Sequence, residues 1–345
     1  MTEPRIAVLG AGANGASVGA DLLRAGLDVT LVEQWPSHVE RMREDGLTIE
    51  TPEEVIRVRP RVIHLCEVAE LRTEFDVVLM LMKAYDSRWA AQLIEPHLAA
   101  DGLMAGVQNG MTSRVVEDVV GAHRTIATVI ECSATMDEPA LVHRHTPVSR
   151  SWFATGTLPG GPGAAREEEV AALLRHSGAV EHFDDIESAK WMKLVSNSTL
   201  LVTSAILGLP MLDALHAPGY RDLMVAAGNE ALAVGVALGH RILPIFGLSP
   251  EEIVDRDRVV DVMTDKLFAG FVVPGATTTV LQDWRRGPGR HSEVDDLNGH
   301  VSAKGRETGV PTPVNDAVTG IAHRIERGEL GPAPEHLGLM LAAIG

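Results

Sequence analysis

Residues 5–33 read RIAVLGAGANGASVGADLLRAGLDVTLVE and place a glycine-rich turn between two apolar runs. The first run, RIAVL, has the length of a buried strand, and DVTLVE reads as a second strand. The segment between them carries apolar residues at helical spacing. Its turn holds Gly10, Gly12 and Gly15 in the pattern G-x-G-x-x-G. A strand, a glycine turn, a helix and a strand in this order predict a dinucleotide-binding unit.

Each residue of the turn has a physical reason to be there. Gly10 permits a tight turn, Gly12 lets the backbone approach a pyrophosphate, and Gly15 lets the helix lie close to the strand. Ala13 and Asn14 open a helix whose free N–H groups and dipole attract phosphate. We therefore predict that these five residues bind the cofactor. The alternative is a glycine-rich turn in an α/β fold without a ligand.

Glu33 ends the second strand, at the position that reads the adenosine ribose. A carboxylate there accepts hydrogen bonds from the ribose hydroxyls of NAD and repels the 2′-phosphate of NADP. No arginine follows immediately, because the next residues are Gln34, Trp35 and Pro36. We therefore expect NAD, with NADP as the alternative. A solvated strand end beside a differently placed cofactor is the other interpretation.

The composition excludes several classes of partner. Among 345 residues, 47 acids stand against 30 bases, which gives a formal charge of −17. Such a surface repels nucleic acid and anionic membranes, so we expect neither as a partner. Cys66 and Cys132 form no disulfide framework, which favours a cytoplasmic location, and we expect no leader and no transmembrane segment. His143 and His145 share a strand face without a third ligand, so we predict no metal site.

The pattern of elements predicts an α/β protein with two domains. Residues 1–185 read as strands alternating with helices, a Rossmann-type dinucleotide-binding domain. Within it, residues 140–156 are typical of antiparallel strands. Residues 186–345 read as long helices, including one over 249–271, and predict an all-helical domain that supplies the second half of a cleft.

Five polar residues stand where chemistry could occur. Lys83 and Asn109 follow predicted strands, at the edge that also carries the glycine turn. Lys193 and Asn197 stand four apart and share one helix face, and Glu293 opens a later helix. Each has an ordinary interpretation as well: a surface lysine, an Asn-Gly turn, or a solvated helix face.

The order of five short motifs gives a family resemblance. They are the glycine turn, LMKAY at 81–85, VQNGM at 107–111, WMKLVSN at 191–197, and TTVLQDWRRG at 278–287 followed by SEVD at 292–295. Nearly the whole chain in this way resembles the ketopantoate reductase family, which has a 6-phosphogluconate-dehydrogenase-like fold. The resemblance implies hydride transfer between a nicotinamide cofactor and a 2-oxo or 2-hydroxy acid or a related alcohol. It also implies that residues 186–345 form the substrate and dimerisation domain of a homodimer.

The resemblance also implies roles for individual residues. Lys193 matches the general acid, and Glu293 the carboxylate that hydrogen-bonds the ketone or hydroxyl oxygen. Asn197 matches the asparagine that holds the substrate, with Asn109 and Thr279 as further substrate-binding residues. On the cofactor side, the resemblance adds Lys83 and Asn109 at the nicotinamide end.

The chain departs from the family pattern at several positions. Ala276 and Leu201 stand where the family often has asparagine, Pro288 and Gly289 resemble an insertion, and Glu33 occupies the NADP-selecting position. Three functions are therefore open. The first is an NAD-dependent enzyme acting on a carboxylate-bearing ketone or alcohol. The others are an NADPH-dependent 2-dehydropantoate 2-reductase of pantothenate biosynthesis and a catalytically inactive nucleotide-binding sensor.

Overall fold

The structure, a computed structural model, describes residues 3–287 and 289–344. Of the expected insertion at Pro288 and Gly289, Pro288 lies outside these residues. The first two residues of one predicted domain and the last residue of the other also lie outside them. The chain divides into two compact units, with the boundary between Glu187 and Ser188. The strands of the first unit are β1 Arg5–Leu9, β2 Asp28–Glu33, β3 Leu47–Glu50, β4 Val55–Val58, β5 Arg61–His64, β6 Phe75–Met80, β7 Leu98–Gly106, β8 Thr125–Glu131, β9 Ala134–Glu138, β10 Leu141–Arg144, β11 Trp152–Thr157 and β12 Ala179–His182. Its helices are α1 Ala13–Arg24, α2 Pro36–Asp45, α3 Ser87–Ile94, α4 Ser113–Val120 and α5 Ala164–Leu174.

Eight strands form one sheet in the order β12-β11-β8-β7-β6-β1-β2-β5. All neighbours run parallel except β8 and β11. Alternate residues of β1 enter different cores: Ile6 and Val8 join one apolar cluster, and Ala7 and Leu9 join the other. A strand buried on both faces explains why RIAVL reads as a continuous apolar run. The predicted parallel-sheet fold class is confirmed.

A second, four-stranded sheet has the order β4-β3-β10-β9, and the sequence analysis missed β3 and β4. These strands are only four residues long, so alternation of buried residues such as Ile49 with exposed ones such as Glu50 is too short to read. The prediction of antiparallel strands over 140–156 was wrong in part. Each strand of this segment has one antiparallel neighbour, β9 for β10 and β8 for β11. Each also has a parallel neighbour, β3 for β10 and β12 for β11, and the two strands belong to different sheets.

A buried ion pair fastens α1 to β10. Arg144 and Asp21, whose side chains are 0% and 1% exposed, place Nη1 and Oδ2 2.5 Å apart. The guanidinium also donates to the carbonyl oxygens of Ser177 at 2.6 Å and Thr146 at 2.9 Å, and to Ser151 Oγ at 2.9 Å. A buried charge is tolerated only when its donors are used in this way.

Removing the countercharge should therefore destabilise the first unit strongly. We expect Asp21→Asn to lower its free energy of unfolding by about 3–5 kcal/mol, because Arg144 then stays buried and charged without a carboxylate. Chemical denaturation followed by circular dichroism would measure this. Arg24→Gln is the matched control, since the Arg24–Glu54 pair is about half exposed and should contribute no more than about 1 kcal/mol. Equal effects of the two substitutions would contradict the prediction.

The second unit contains helices joined by turns and loops, and no strand occurs among the residues described from 188 onward. After α6 Ile186–Leu207, which begins just before the boundary, its helices are α7 Met211–Ala214, α8 Tyr220–Ala237, α9 Val259–Gly270, α10 Thr279–Arg285, α11 Asn298–Thr308, α12 Pro313–Glu326 and α13 Leu337–Leu341. None of the helices in the described ranges is both long enough and apolar enough to cross a bilayer. The predicted helix over 249–271 was wrong at its start: α9 begins ten residues later, and the segment before it forms turns. The sequence analysis also missed α10.

Candidate active site

The glycine turn between β1 and α1 is set by close backbone contacts. Gly10 has φ of +89°, and a Cβ atom there would lie 2.7 Å from the backbone nitrogen of Met82. A Cβ atom on Gly15 would lie 1.9 Å from the carbonyl oxygen of Gly10. Gly12 differs, because its Cβ position has no atom within 4 Å. Two glycines are therefore required by the fold itself, and the third leaves space beside the turn.

The turn fits the phosphates of a dinucleotide. Gly12 caps α1, so the first N–H groups of the helix have no partner within it. Asn14 Oδ1 is buried and accepts no hydrogen bond from any described residue. The N–H groups at the start of α1 and the open space at Gly12 match an anionic ligand, and Asn14 Oδ1 can accept a hydrogen bond from a donor group of the same ligand.

Glu33 lies at the carboxyl end of β2 and is 7% exposed. Its Oε1 accepts hydrogen bonds from the backbone N–H groups of Gln34 and Trp35, each at 2.9 Å. The carboxylate is therefore held by its own turn, and its direction is fixed by the backbone.

Lys83 and Asn109 follow the adjacent parallel strands β6 and β7 and are both half-buried. The buried amide of Gln108 ties the two loops together, because Nε2 donates to the carbonyl oxygens of Met82 at 2.8 Å and Lys83 at 3.3 Å. The structure thus brings Lys83 and Asn109 to the edge that carries the glycine turn. Sequence reasoning missed Gln108, although it directly precedes Asn109.

Lys193 and Asn197 lie on one face of α6 and are 7% and 3% exposed. Their burial contradicts the interpretation of this face as solvated. Lys193 Nζ lies 4.9 Å from the ring centroid of Phe246, within the range of a cation–π interaction. Phe246 has φ of +56°, an uncommon backbone conformation for a bulky residue, and sequence reasoning gave no signal for it.

Glu293 is 4% exposed and begins a short 3-10 segment, Glu293–Asp296. Three residues per turn place Asp296 on the same face as Glu293. Burial, with repulsion from Glu293 and Asp295, raises the pKa of Asp296 to about 6. The segment is anchored to α12, because the backbone N–H of Ser292 donates to Glu326 Oε1 at 2.9 Å. Sequence reasoning missed Asp296.

Thr279 opens α10, and its Oγ1 is buried without a hydrogen-bond partner among the described residues. The neighbouring Thr278 caps the helix instead, accepting from the backbone N–H of Leu281 at 3.3 Å. A buried hydroxyl without a partner is costly, which is consistent with a ligand-binding role. Ala276 and Leu201, which replace asparagines of the family pattern, are buried and half-buried.

The two candidate metal-binding histidines have separate partners. His143 Nδ1 lies 3.1 Å from Glu50 Oε2, and His145 Nε2 lies 3.1 Å from Thr135 Oγ1. Across residues 3–287 and 289–344, no three His, Cys, Asp or Glu side chains are grouped so that they could hold a metal ion.

Comparison with known proteins decides the family. The model of "Ketopantoate reductase PanE/ApbA" matches residues 6–156, and that of its C-terminal domain matches residues 185–326. This chain belongs to the ketopantoate reductase family. The predicted resemblance is confirmed, and with it the assignment as an NAD(P)-dependent oxidoreductase.

Several relatives and solved structures match most of the chain. A 2-dehydropantoate 2-reductase of Mesorhizobium japonicum is 29% identical, covering 94% of this chain and 99% of its own. One from Caulobacter vibrioides is 28% identical, covering 92% and 97%. The crystal structure of a family member from Ralstonia eutropha has a TM-score of 0.78 at 25% identity, covering 94% and 99%. D-mandelate dehydrogenase, solved with NADH and anilino(oxo)acetate, shares the fold with a TM-score of 0.81 at 22% identity, covering 94% and 98%.

The raised pKa of Asp296 predicts a pH-dependent stability. The folded protein holds this proton up to a pKa of about 6, against an ordinary value of 3.8, so stability from this group falls as pH rises between the two values. Asp296→Asn is neutral at every pH and should therefore raise the melting temperature more at pH 8 than at pH 4. Thermal unfolding of both proteins at each pH measures this.

Asp257→Asn provides the control for Asp296, because Asp257 lies in an exposed segment before α9. It should shift the melting temperature little and equally at both pH values. A gain from Asp296→Asn that is larger at pH 4 would show the opposite sign and refute the assignment.

Proposed function

We propose that this chain transfers hydride between NAD(H) and a 2-oxo or 2-hydroxy acid. The observation that carries the proposal is the burial of Lys193 and Asn197 on one face of α6, at the motif positions of the family's general acid and substrate ligand. Burying the ammonium group of Lys193 costs free energy that a surface lysine does not lose. A catalytic role explains why the chain buries it. The matching of Glu293 and Thr279 to family motifs extends the site.

Each residue has a chemical task in this proposal. A bound nicotinamide supplies or accepts the hydride. Lys193 stabilises the negative charge that develops on the carbonyl oxygen during reduction and donates the proton to it. Glu293 orients the same oxygen, while Asn197, Asn109 and Thr279 hold the substrate.

On the cofactor side we assign Gly10, Gly12, Ala13, Asn14 and Gly15 to the phosphates and Glu33 to the ribose. Lys83 and Asn109 take the nicotinamide end. The fixed carboxylate of Glu33 supports NAD over NADP. In the same proposal residues 1–185 form the dinucleotide-binding domain, and residues 186–345 bind the substrate and pair two copies of this cytoplasmic enzyme as a homodimer.

An NADPH-dependent 2-dehydropantoate 2-reductase is the second candidate. The names of the relatives from Mesorhizobium japonicum and Caulobacter vibrioides favour it, since they match nearly the full chain. Glu33, Ala276 and Leu201 weigh against it, because they alter the cofactor-selecting position and remove two amides from the substrate side. An inactive sensor has less support, because it gives no reason for the burial of Lys193 and Glu293 at the catalytic motif positions of the family. Initial rates with NADH and NADPH across a panel of 2-oxo acids that includes ketopantoate distinguish the three.

The cofactor assignment predicts the effect of changing Glu33. The wild type should bind NADH on the order of tenfold or more tightly than NADPH, a difference of about 1.4 kcal/mol or more. Glu33→Gln keeps the oxygen that accepts from Gln34 and Trp35 but loses the charge, so it should reduce this preference while retaining NADH binding. Fluorescence titration with both cofactors measures the ratio.

Glu44→Gln serves as the control for Glu33, because it removes one negative charge from an exposed position on α2. Its cofactor preference should equal that of the wild type. Tighter binding of NADPH than of NADH by the wild type would refute the NAD assignment while leaving the family unaffected.

The role of Lys193 predicts a loss of turnover without a loss of cofactor affinity. Lys193→Met keeps the length of the side chain and removes the ammonium, so kcat should fall by roughly two to four powers of ten. Lys193→Arg should not restore it, since a guanidinium keeps its proton. Steady-state kinetics give kcat, and titration gives the affinity for NADH.

Lys304→Met is the control for Lys193, because Lys304 forms a surface ion pair with Glu307 at 2.7 Å on α11. It should turn over substrate at the wild-type rate. Turnover by Lys193→Met within a few-fold of the wild type would refute the catalytic assignment.

A further inference from the structure

His38 on α2 is fully buried and uses both ring nitrogens. Nε2 lies 2.9 Å from the carbonyl oxygen of Ala11, in the middle of the glycine turn. The backbone N–H of Ala140 donates to Nδ1 at 2.8 Å. One side chain therefore connects the glycine turn to the turn between β9 and β10.

These partners fix the protonation of the ring. An amide N–H can only donate, so Nδ1 is the acceptor and carries no proton. The ring proton is then on Nε2 and is donated to the carbonyl oxygen of Ala11. Burial lowers the pKa of His38 below its ordinary value of 6.5, against the opposing effects of the Ala11 hydrogen bond and the Glu33 carboxylate, which agrees with a neutral ring.

The Ala11 carbonyl matters because it belongs to the peptide group that ends in the Gly12 N–H. A trans peptide is planar, and its C=O and N–H point in opposite directions. Holding the Ala11 oxygen toward α2 therefore turns the Gly12 N–H away from α2. Gly12 is also the residue of the turn with open space at its Cβ position.

The far partner of His38 is itself held in place. Ala140 has φ of +61°, and its carbonyl oxygen accepts from the backbone N–H of Thr48 at 2.9 Å. Strand β10, which follows it, carries Arg144 and so the buried ion pair to α1. The ring of His38 is thereby held between two fixed parts of the first unit.

We propose that His38 is a positioning residue for the cofactor: by holding the Ala11 carbonyl, it aims the Gly12 N–H at a phosphate of the dinucleotide. This inference rests on the proposed use of NAD(H). It also gives the small second sheet a role in cofactor binding, because the turn between its strands β9 and β10 supplies the N–H that fixes the tautomer of the ring.

Two substitutions separate the two hydrogen bonds. Asparagine places an oxygen where Nδ1 stands, so His38→Asn keeps the Ala140 bond and loses the Ala11 bond. Glutamine places its amide nitrogen near Nε2, so His38→Gln keeps the donor to Ala11. The probe is NADH, titrated by fluorescence, with the melting temperature recorded for each variant. His123→Gln, at an exposed position after α4, is the control.

We expect His38→Asn to bind NADH about tenfold more weakly, with kcat unchanged at saturating NADH and KM for NADH raised in proportion. His38→Gln and the control should bind within about twofold of the wild type. A purely structural role would instead change the melting temperature and leave the affinity of the folded protein the same in both variants. If His38→Asn does not fold, His38→Gln decides alone, and a tenfold loss of affinity there overturns the inference.

Full NADH affinity in His38→Asn, together with normal binding by the wild type, overturns this inference and leaves the proposed function intact. A wild type that binds neither NADH nor NADPH overturns the proposed function, and the inference with it.

Discussion

The close approach of the glycine turn to the end of β6 is the constraint on which the first unit depends. Gly10 lies against the backbone of Met82, and Gly15 lies against the carbonyl of Gly10, with no room for a side chain at either position. This contact sets the direction of α1 and the place of the loop that carries Lys83. Gly10 and Gly15 are therefore required by the fold and also belong to the turn that would meet the cofactor, so a substitution at either position would change both.

The sequence predicted the elements whose own residues carry a strong local pattern. Continuous apolar runs gave β1, β2, β6 and β7, and glycine spacing gave the turn between β1 and α1. It failed where the signal is short or depends on distant residues. Strands β3 and β4 are four residues long, and the antiparallel neighbour of β11 is the distant strand β8 of the large sheet. Residues 249–258 read as helix, but the structure shows turns there, and α9 begins only at Val259.

The candidate site divides in the same way. Lys193, Asn197 and Glu293 could be named because motif order identifies them, whereas their burial could not be read from residue type. His38, Gln108 and Phe246 were missed because each acts through a contact distant in sequence: His38 with Ala11 and Ala140, Gln108 with Met82, Phe246 with Lys193. Single polar residues inside amphipathic or loop segments carry no periodic signal, so only three-dimensional contacts reveal that they orient neighbouring groups.

The two sides of the proposed chemistry are under different physical constraints, and this bears on which function the chain has. On the proposed cofactor side, hydrogen bonds that involve main-chain groups fix the geometry: two backbone N–H groups hold Glu33, His38 holds the Ala11 carbonyl, and Gln108 holds the Lys83 carbonyl. These bonds orient the glycine turn and the Lys83 loop, so the frame that we propose for the nicotinamide cofactor is present in this chain. The substrate side depends on individual side chains, and here two amides of the family pattern are replaced by Ala276 and Leu201. A site that loses these amides discriminates less in favour of a polar substrate. A substrate hydroxyl that the amides would have bound is then buried without hydrogen-bond partners. A hydride-transfer enzyme with an altered substrate accounts for both the fixed cofactor side and the two replaced amides. An unchanged 2-dehydropantoate site accounts only for the fixed cofactor side.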